Sequence, residues 1–215
     1  MSGRAVRSLR RVLFAAGIAL LAVSALAWMD RTVSSRLALA AFDDEVDVRL
    51  WSDERVRRYR ESLRTDTRSP SAVLEIRRLG IRVPVFDSTD ELALNRGAGW
   101  IAGTARPGED GNVGIAGHRD GFFRALKDVR VGDTIELETR DGRGTYLVDG
   151  IDIVEPERVE VLLPRGAPSL TLVTCYPFYY VGAAPQRYVV HATRDGSARS
   201  SDPAPGPPSA NRRPD

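Results

Sequence analysis

The chain contains one cysteine, Cys175, which ends the β-type run Thr171-Leu-Val-Thr-Cys175. A thiol has a reference pKa of about 8.5 and becomes a strong nucleophile when it is deprotonated. His118 ends another such run, and an imidazole can accept and return a proton near neutral pH. Arg187 lies at the start of a third run and carries a permanently charged guanidinium that can stabilise an oxyanion. Together these residues supply the roles needed for acyl transfer at an amide carbonyl.

Each of these residues also has a purely structural interpretation. A lone cysteine usually packs as a small hydrophobic residue, a histidine after glycine can serve a turn, and Arg187 is one of 30 arginines. His191, in the last β-type run, is expected to be structural or exposed. Asp120 is the nearest carboxylate that could orient His118, but a solvated turn residue explains its position equally well.

Short β-type runs separated by glycine, proline and aspartate begin at Ala72 and indicate seven or eight strands. Such runs with almost no helix predict a mainly β domain, an antiparallel barrel or a sandwich. Residues 140–143 are predicted to form a hairpin turn, Pro84 an edge or bulge, and Phe122–Leu126 a single helical turn. The runs are AVLEI, IRVPVF, NVGIA, DTIELET, GTYLVDGIDIV, SLTLVTC and QRYVVHAT.

An N-terminal export or anchor sequence precedes this domain. Residues 1–11 are basic and residues 12–29 form an apolar run of 18 residues. As a helix this run is about 27 Å long, which is close to the hydrocarbon thickness of a bilayer. The preceding arginines place the N-terminus in the cytoplasm, so we expect a single-pass membrane protein with an extracytoplasmic domain. A signal peptide cleaved after Ala25-Leu-Ala27 is the alternative.

Two further segments flank the predicted domain of residues 71–194. Residues 30–70 are charged and are predicted to form a helical stalk, since apolar residues recur at helical spacing. We favour a spacer for this stalk, and the alternative is a lid or docking helix over the site. Residues 195–215, rich in proline, are predicted to be a disordered tail. The stalk's apolar stripes are Leu39, Phe42, Val46 and Leu50, followed by Val56, Tyr59 and Leu63.

Charge and cysteine content exclude several classes of protein. Between Ala72 and Thr193 there are 14 basic and 17 acidic side chains, so no basic surface suggests a nucleic-acid partner. One cysteine cannot form an intrachain disulfide or a cysteine-based zinc site. No acidic cluster has the spacing of a cation site, and we therefore predict neither a metal nor a cofactor.

The sequences around the three candidate residues resemble those of the sortases, most closely class D. The similar stretches are GNVGIAGHRDGFFRAL, VGDTIELET, IVEPERVEVLLP and LTLVTCYPFYYVGAAPQRYVV. The last contains the family's TLxTC motif at Thr171–Cys175, followed by an arginine at the start of the next strand, Arg187. The resemblance covers residues 74–192, with the motifs in the family's order and an anchor in the expected place.

This resemblance implies an eight-stranded sortase-type β-barrel in which Cys175, His118 and Arg187 meet in a groove. It also implies cysteine transpeptidation of exported proteins that carry an LPxTG-like sorting signal near their C-terminus. Cys175 would attack the threonine carbonyl to form a thioacyl-enzyme, and His118 would protonate the departing amine. An amine from the cell wall or another protein would then take the acyl group, while Arg187 steadies the oxyanion or positions the peptide. Some sortases also use calcium.

Two other classes of protein remain as alternatives. His118 and Cys175 are 57 residues apart, near the separation in caspases, but the caspase motif is absent around Cys175 and no α/β alternation surrounds it. An L,D-transpeptidase is a further cysteine acyltransferase with a different local signature. The other class is a non-catalytic, exported β-barrel module that binds a partner.

Overall fold

The computed structural model describes residues 48–65, 68–180 and 182–196, together with residues 17 and 46. Helix α1 and the barrel that follows it belong to one compact unit. Helices α1 and α2 span Asp53–Thr65 and Glu91–Arg96, and short 3-10 helices span Arg77–Leu79, Phe122–Asp128 and Val159–Leu162. Strands β1 to β8 span Ala72–Ile76, Ile81–Phe86, Ala98–Trp100, Asn112–Gly117, Thr134–Thr139, Gly142–Val154, Ser169–Tyr176 and Gln186–Arg194.

The eight strands form a closed barrel in the order β1-β2-β3-β4-β7-β8-β6-β5. Six of the pairs are antiparallel, whereas β2 pairs with β3, and β4 with β7, in parallel. The mainly β, eight-stranded barrel expected from the resemblance is therefore confirmed. The parallel pair β4-β7 matters most for function, because it joins the strand before His118 to the strand that ends near Cys175.

Alternating side chains fill the barrel, as the period of two in a β-strand requires. On β1, for example, Leu74 and Ile76 are completely buried, whereas the intervening Glu75 is not. Burying an aliphatic side chain of this size stabilises the fold by about 1.5–3 kcal/mol. Leu172 on β7 and Val190 on β8 are also completely buried. Every second residue of these two strands therefore points away from the core, and Cys175 is among them.

All seven β-type runs of the sequence form strands, and the hairpin predicted at residues 140–143 connects β5 to β6. Gly142 supplies the positive φ, 140°, at the end of that turn. Pro84 lies in β2, one residue before the pairing with β3 begins at Val85. At Pro84 only β1 is paired with β2, so the missing N–H of proline costs no hydrogen bond to β3. The predicted turn at Phe122–Leu126 is part of the 3-10 helix Phe122–Asp128.

The domain contains more helix than the single turn expected at Phe122–Leu126: the 3-10 helices Arg77–Leu79 and Val159–Leu162 also lie in it, and so does helix α2. Asp90 caps this helix, and its Oδ1 accepts a hydrogen bond of 2.9 Å from the Ala93 N–H. An aspartate that begins a helix is a recognisable signal, but α2 has only six residues and shows no full amphipathic period. The short strand β3, which has three residues, does not stand out among the sequence runs either.

The predicted membrane anchor lies outside the described residues, except for Gly17. Among the residues that the structure describes, no helix is long and apolar enough to cross a bilayer. The predicted tail from residue 197 onward also lies outside them. Of the stalk, residues 46, 48–65 and 68–70 are described, and α1 accounts for the second of the two predicted stripes.

Candidate active site

Cys175 and Arg187 face each other across the antiparallel pair β7-β8. Residues directly opposite in such a pair point to the same side of the sheet, with Cβ atoms about 4.5–5.5 Å apart. Cys175 is partly exposed and has a free thiol. Arg187 Nη1 donates to the carbonyls of Ala184, at 3.3 Å, and Gln186, at 3.1 Å. These bonds hold the guanidinium at the strand end and leave its other nitrogens for further hydrogen bonds.

His118 follows β4 at the same end of the barrel as Cys175. The parallel register pairs Ala116 with Val173, and two residues further along the strands come His118 and Cys175. The Thr174 hydroxyl donates a buried hydrogen bond of 2.7 Å to the Gly117 carbonyl, which ties the two strands together immediately before these residues. Neighbouring strands are about 4.8 Å apart, so the register brings the imidazole-bearing and thiol-bearing residues side by side.

The backbone around His118 is held in a tight turn. Its carbonyl accepts hydrogen bonds from the N–H groups of Gly121, at 3.2 Å, and Phe123, at 3.3 Å. A Cβ on Gly117 would lie 2.6 Å from the Phe123 ring, and Phe123 is completely buried. Only glycine at position 117 therefore lets β4 pack against this ring. His118, the next residue, lies at the end of the barrel.

The imidazole of His118 is largely shielded from water. Its Nε2 atom is buried, and no hydrogen-bond partner for it occurs among the described residues. Burial lowers the pKa of His118 below its usual value, and the positive charge of Arg55 lowers this pKa further. The negative charges of Glu91 and Asp120 oppose these effects. The neutral imidazole is thus favoured, which suits a group that takes up a proton during a reaction.

Helix α1 packs beside this histidine. Arg55, only 7% exposed, donates to Asn95 Oδ1 on α2 and forms an ion pair of 3.0 Å with Asp120. Below it, Tyr59 makes edge-on ring contacts with Trp51 and Phe122 at centroid distances of 5.5 and 5.8 Å. The sequence analysis favoured a spacer for the stalk. For residues 53–65, these contacts favour the alternative, a docking helix. The predicted stripe is shifted, since the buried residues of α1 are Arg55, Tyr59 and Ser62.

The outward faces of β4, β7 and β8 form one surface that leads to Cys175. Alternate residues of these strands lie on this face in cross-strand rows, as the pairing register gives them. We name four of them. The Asn112 row is Asn112, Ser169 and Thr193, the His191 row is Gly114, Thr171 and His191, and the valine row is Ala116, Val173 and Val189. The cysteine row is Cys175 and Arg187, together with His118, which follows the end of β4.

This surface is closed at the end away from Cys175. A Cβ on Gly114 would lie 2.9 Å from the Thr104 side chain and 3.2 Å from Leu162 Cδ2, so both side chains cover β4 at this point. From Gly114 to His118 the strand advances four residues, which is about 13 Å at the usual rise. The part of this face between Leu162 and the cysteine row is therefore as long as about four residues of an extended peptide.

Arginines that follow His118 hold the connection between β7 and β8. Arg119 Nη2 donates to the Tyr180 carbonyl at 2.8 Å and to the Gly182 carbonyl at 3.1 Å. Arg124 donates to the Phe178 carbonyl at 2.9 Å. This connection links Cys175 to Arg187. The hydrogen bonds from Arg119 and Arg124 therefore hold the backbone between these two residues in place.

The structure thus places Cys175, His118 and Arg187 at one end of the barrel, and His191 two rows away on the same face. Asp120, the candidate orienting carboxylate, is paired with Arg55. Sequence reasoning missed Arg55 as a neighbour of His118 and Asn95 as a partner of Arg55, and only the charged turn after His118 hinted at a partner. Within the described part of the chain, no group of three or more His, Cys, Asp or Glu side chains has an arrangement that could hold a metal ion.

The fold and the site together define a class: a closed β-barrel with a cysteine, a histidine and an arginine at one end of neighbouring strands. A sequence profile of the Sortase domain family matches residues 74–195. The chain therefore belongs to the sortases, the family of cysteine transpeptidases that its motifs resemble.

Individual relatives agree with this assignment and with the class D resemblance. Sortase D of Bacillus subtilis (strain 168) is 34% identical over 134 residues, which are 62% of this chain and 68% of that protein. The structure of a Clostridium perfringens Sortase D5 transpeptidase matches 75% of this chain and 98% of its own, with a TM-score of 0.56 and 26% identity. Sortase C1 of GBS Pilus Island 1 matches with a TM-score of 0.54 and 30% identity, over 58% of this chain. The chain covers 64% of that structure, slightly under two thirds.

Proposed function

We propose that this sortase cleaves an LPxTG-like sorting signal and transfers the exported protein to an amine acceptor at the cell surface. The observation that carries this proposal is the pairing register, in which Cys175 faces Arg187 while β4 brings His118 alongside. We propose that the stretch of this face from Leu162 to the cysteine row is the peptide groove, because its length suits about four extended residues. Four is also the number of residues on the acyl side of the scissile bond in an LPxTG-like signal.

In the proposed reaction, His118 takes the proton of the Cys175 thiol, and the sulfur attacks the carbonyl carbon of the threonine. A tetrahedral oxyanion forms, and the Arg187 guanidinium stabilises it or positions the peptide. The bond to the leaving nitrogen breaks as His118 gives that nitrogen a proton, which leaves a thioester on Cys175. An amine then attacks the thioester carbonyl and passes its surplus proton to His118. The new amide is released, and the thiolate returns for the next cycle.

A transfer assay tests the proposal directly. Wild-type protein is incubated with an LPxTG peptide and a small amine, and the products are identified by mass spectrometry. We expect the amide of the amine with the peptide's threonine, a thioester adduct on Cys175, and no product from Cys175→Ala or His118→Ala. A folded wild-type protein that gives no product with any LPxTG-like peptide would support the alternative of a non-catalytic binding module.

We also propose that residues 12–29 anchor the protein in the membrane, with the barrel on the extracytoplasmic side. The apolar run and its preceding arginines support this orientation. Expression of the full chain followed by alkaline extraction of membranes tests it. An intact chain that stays in the membrane pellet supports the anchor, and a soluble product that begins near residue 28 supports the cleaved signal peptide.

A further inference from the structure

A hydrogen-bonded network lies under the connection between β6 and β7, at the far end of the groove from Cys175. Asn112 Oδ1 accepts hydrogen bonds from the hydroxyl groups of Ser169, at 3.2 Å, and Thr171, at 2.9 Å. Thr171 Oγ1 is in turn 3.4 Å from His191 Nδ1. Asn112 is 2% exposed, and both hydroxyl-bearing residues are completely buried. These buried polar groups form hydrogen bonds with one another, because a buried polar group without a partner would destabilise the fold.

The direction of each bond follows from the number of protons available. A threonine hydroxyl has one hydrogen, and Thr171 gives it to Asn112. The Thr171 oxygen is then left to act as an acceptor at its contact with His191 Nδ1. The other ring nitrogen, Nε2, faces the Asp152 carboxylate at 3.4 Å, which is also an acceptor. The His191 ring is therefore oriented by two acceptors, one at each nitrogen.

The same network also holds the connection between β6 and β7 by hydrogen bonds. Asn112 uses its amide nitrogen to donate to the carbonyls of Val161, at 3.5 Å, and Leu163, at 3.1 Å. The residue between them is Leu162, whose side chain covers Gly114 and closes the groove. A second attachment lies outside the network, where Arg165 binds Asp149 on β6 at 3.1 Å. Of the two attachments, Asn112 is the one that bonds the residues on either side of Leu162.

We propose that Asn112, Thr171 and His191 are positioning residues for the peptide substrate, which hold Leu162 as the closed end of the groove. This inference rests on the proposed function, because it assumes that a peptide occupies the groove. The network lies two to three rows from Cys175 and touches no reacting atom. Its loss should weaken peptide binding and leave the chemistry at the cysteine row unchanged.

Substitutions at Thr171 separate positioning from general stability. Thr171→Val keeps the shape of the side chain but removes the hydroxyl, whereas Thr171→Ser keeps the hydroxyl and serves as the conservative rescue. With an LPxTG peptide we expect Thr171→Val to raise KM about tenfold, the effect of one lost hydrogen bond of ordinary strength. kcat and the rate of Cys175 alkylation by iodoacetamide should stay within about twofold of wild type. Thr134→Val, on the exposed part of β5, is the matched control and should match wild type.

Nitrogen NMR of the His191 ring gives a readout that does not depend on substrate. The chemical shift of Nδ1 should differ between wild type and Thr171→Val, because the variant lacks the hydroxyl that Nδ1 contacts. Hydrogen exchange at residues 161–163 should be faster in Thr171→Val than in wild type. If wild type processes no LPxTG peptide, the proposed substrate fails, but these two measurements still decide whether the network holds the connection.

Several results would overturn the inference. A folded Thr171→Val protein with unchanged KM, or with kcat and alkylation reduced as strongly as kcat/KM, would show that the network does not position the peptide. Unchanged exchange at residues 161–163 would show that it does not hold Leu162. If Thr171→Val fails to fold, His191→Leu and its rescue His191→Gln repeat the comparison at a residue that is not completely buried, with the same expected split between KM and kcat.

Discussion

Arg55 Nη2 lies 3.0 Å from Asp120 Oδ1, and this ion pair attaches a helix that precedes the barrel to the turn that follows His118. The same guanidinium binds Asn95 on α2, so one side chain joins three elements around the candidate active site. Its charge also acts on His118, whose pKa is lowered first by burial and then by Arg55. Helix α1 is therefore part of the electrostatic environment of the site.

Replacing Arg55 with glutamine should change both stability and the histidine. Asn95 and Asp120 would lose their partner, which we expect to destabilise the fold by about 1–3 kcal/mol. Loss of the positive charge should raise the pKa of His118, so that more of the imidazole is protonated at neutral pH. Urea unfolding and an NMR titration of the His118 ring measure the two effects. Arg57→Gln is the matched control, because Arg57 is on the same helix but is 68% exposed; an equal change in both variants would contradict the role of Arg55.

Arg187→Lys should reduce turnover although the charge is kept. Lysine lacks the planar guanidinium fork, so it cannot bond the Ala184 and Gln186 carbonyls and stabilise an oxyanion with the same geometry. We expect kcat/KM for an LPxTG peptide to fall about 10²–10³-fold, the usual effect of losing one oxyanion donor. A fluorogenic peptide assay measures this, with Arg140→Lys in the β5-β6 turn as the control. Wild-type activity in Arg187→Lys would mean that Arg187 has no role beyond the surface.

Thr174→Val tests whether the register between β4 and β7 controls the site. The substitution leaves the Gly117 carbonyl without its hydrogen bond, which should cost about 1–3 kcal/mol of stability. It should also lower kcat, because the bond holds the strands together one residue before His118 and Cys175. Thr174→Ser keeps the hydroxyl and should recover most of both losses. Thermal unfolding and peptide kinetics give the comparison, and a fall in stability with no change in kcat would separate the register from catalysis.

The two histidines should make the fold less stable in mild acid. Burial is the main reason that the pKa of each is lowered from 6.5, helped by Arg55 at His118 and by Arg165 at His191. As pH falls through about 6.5, the unfolded chain binds protons before the folded chain does, so the free energy of unfolding decreases. The decrease ends once pH is below the lowered values. Urea unfolding between pH 7.5 and 5.5 measures it.

His191→Gln provides the control for this pH dependence. It removes one of the two titrating imidazoles, and the decrease in stability over this range should become smaller. Carboxylates contribute in a separate range: the pKa of Asp133 is held below 3.8 mainly by its hydrogen bond to Arg78, so its stabilising effect is lost only in stronger acid. A wild-type stability that is constant from pH 7.5 to 5.5 would show that neither histidine is buried as described.

Much of the fold and the site could be predicted from local patterns. The β-type runs predicted the strands that form the barrel wall, because alternation of apolar and polar residues is a local property of a strand. The residue types at Cys175, His118 and Arg187, together with their motifs, indicated the sortase family and the chemistry. Short elements such as α2 were missed, since six residues are too few to show a helical period.

The amino-acid sequence by itself determined which segments are strands, which residues can do the chemistry, and which family the chain belongs to. Only the tertiary structure decided that β4 pairs with β7 in parallel, that Arg55 reaches the turn after His118, and that Asn112 holds Leu162 through a network shared with His191. The physical reason is the range of the interactions. Periodicity and capping act within a few residues, whereas strand register, buried ion pairs and shared hydrogen bonds join residues far apart in the chain and form only when the barrel closes.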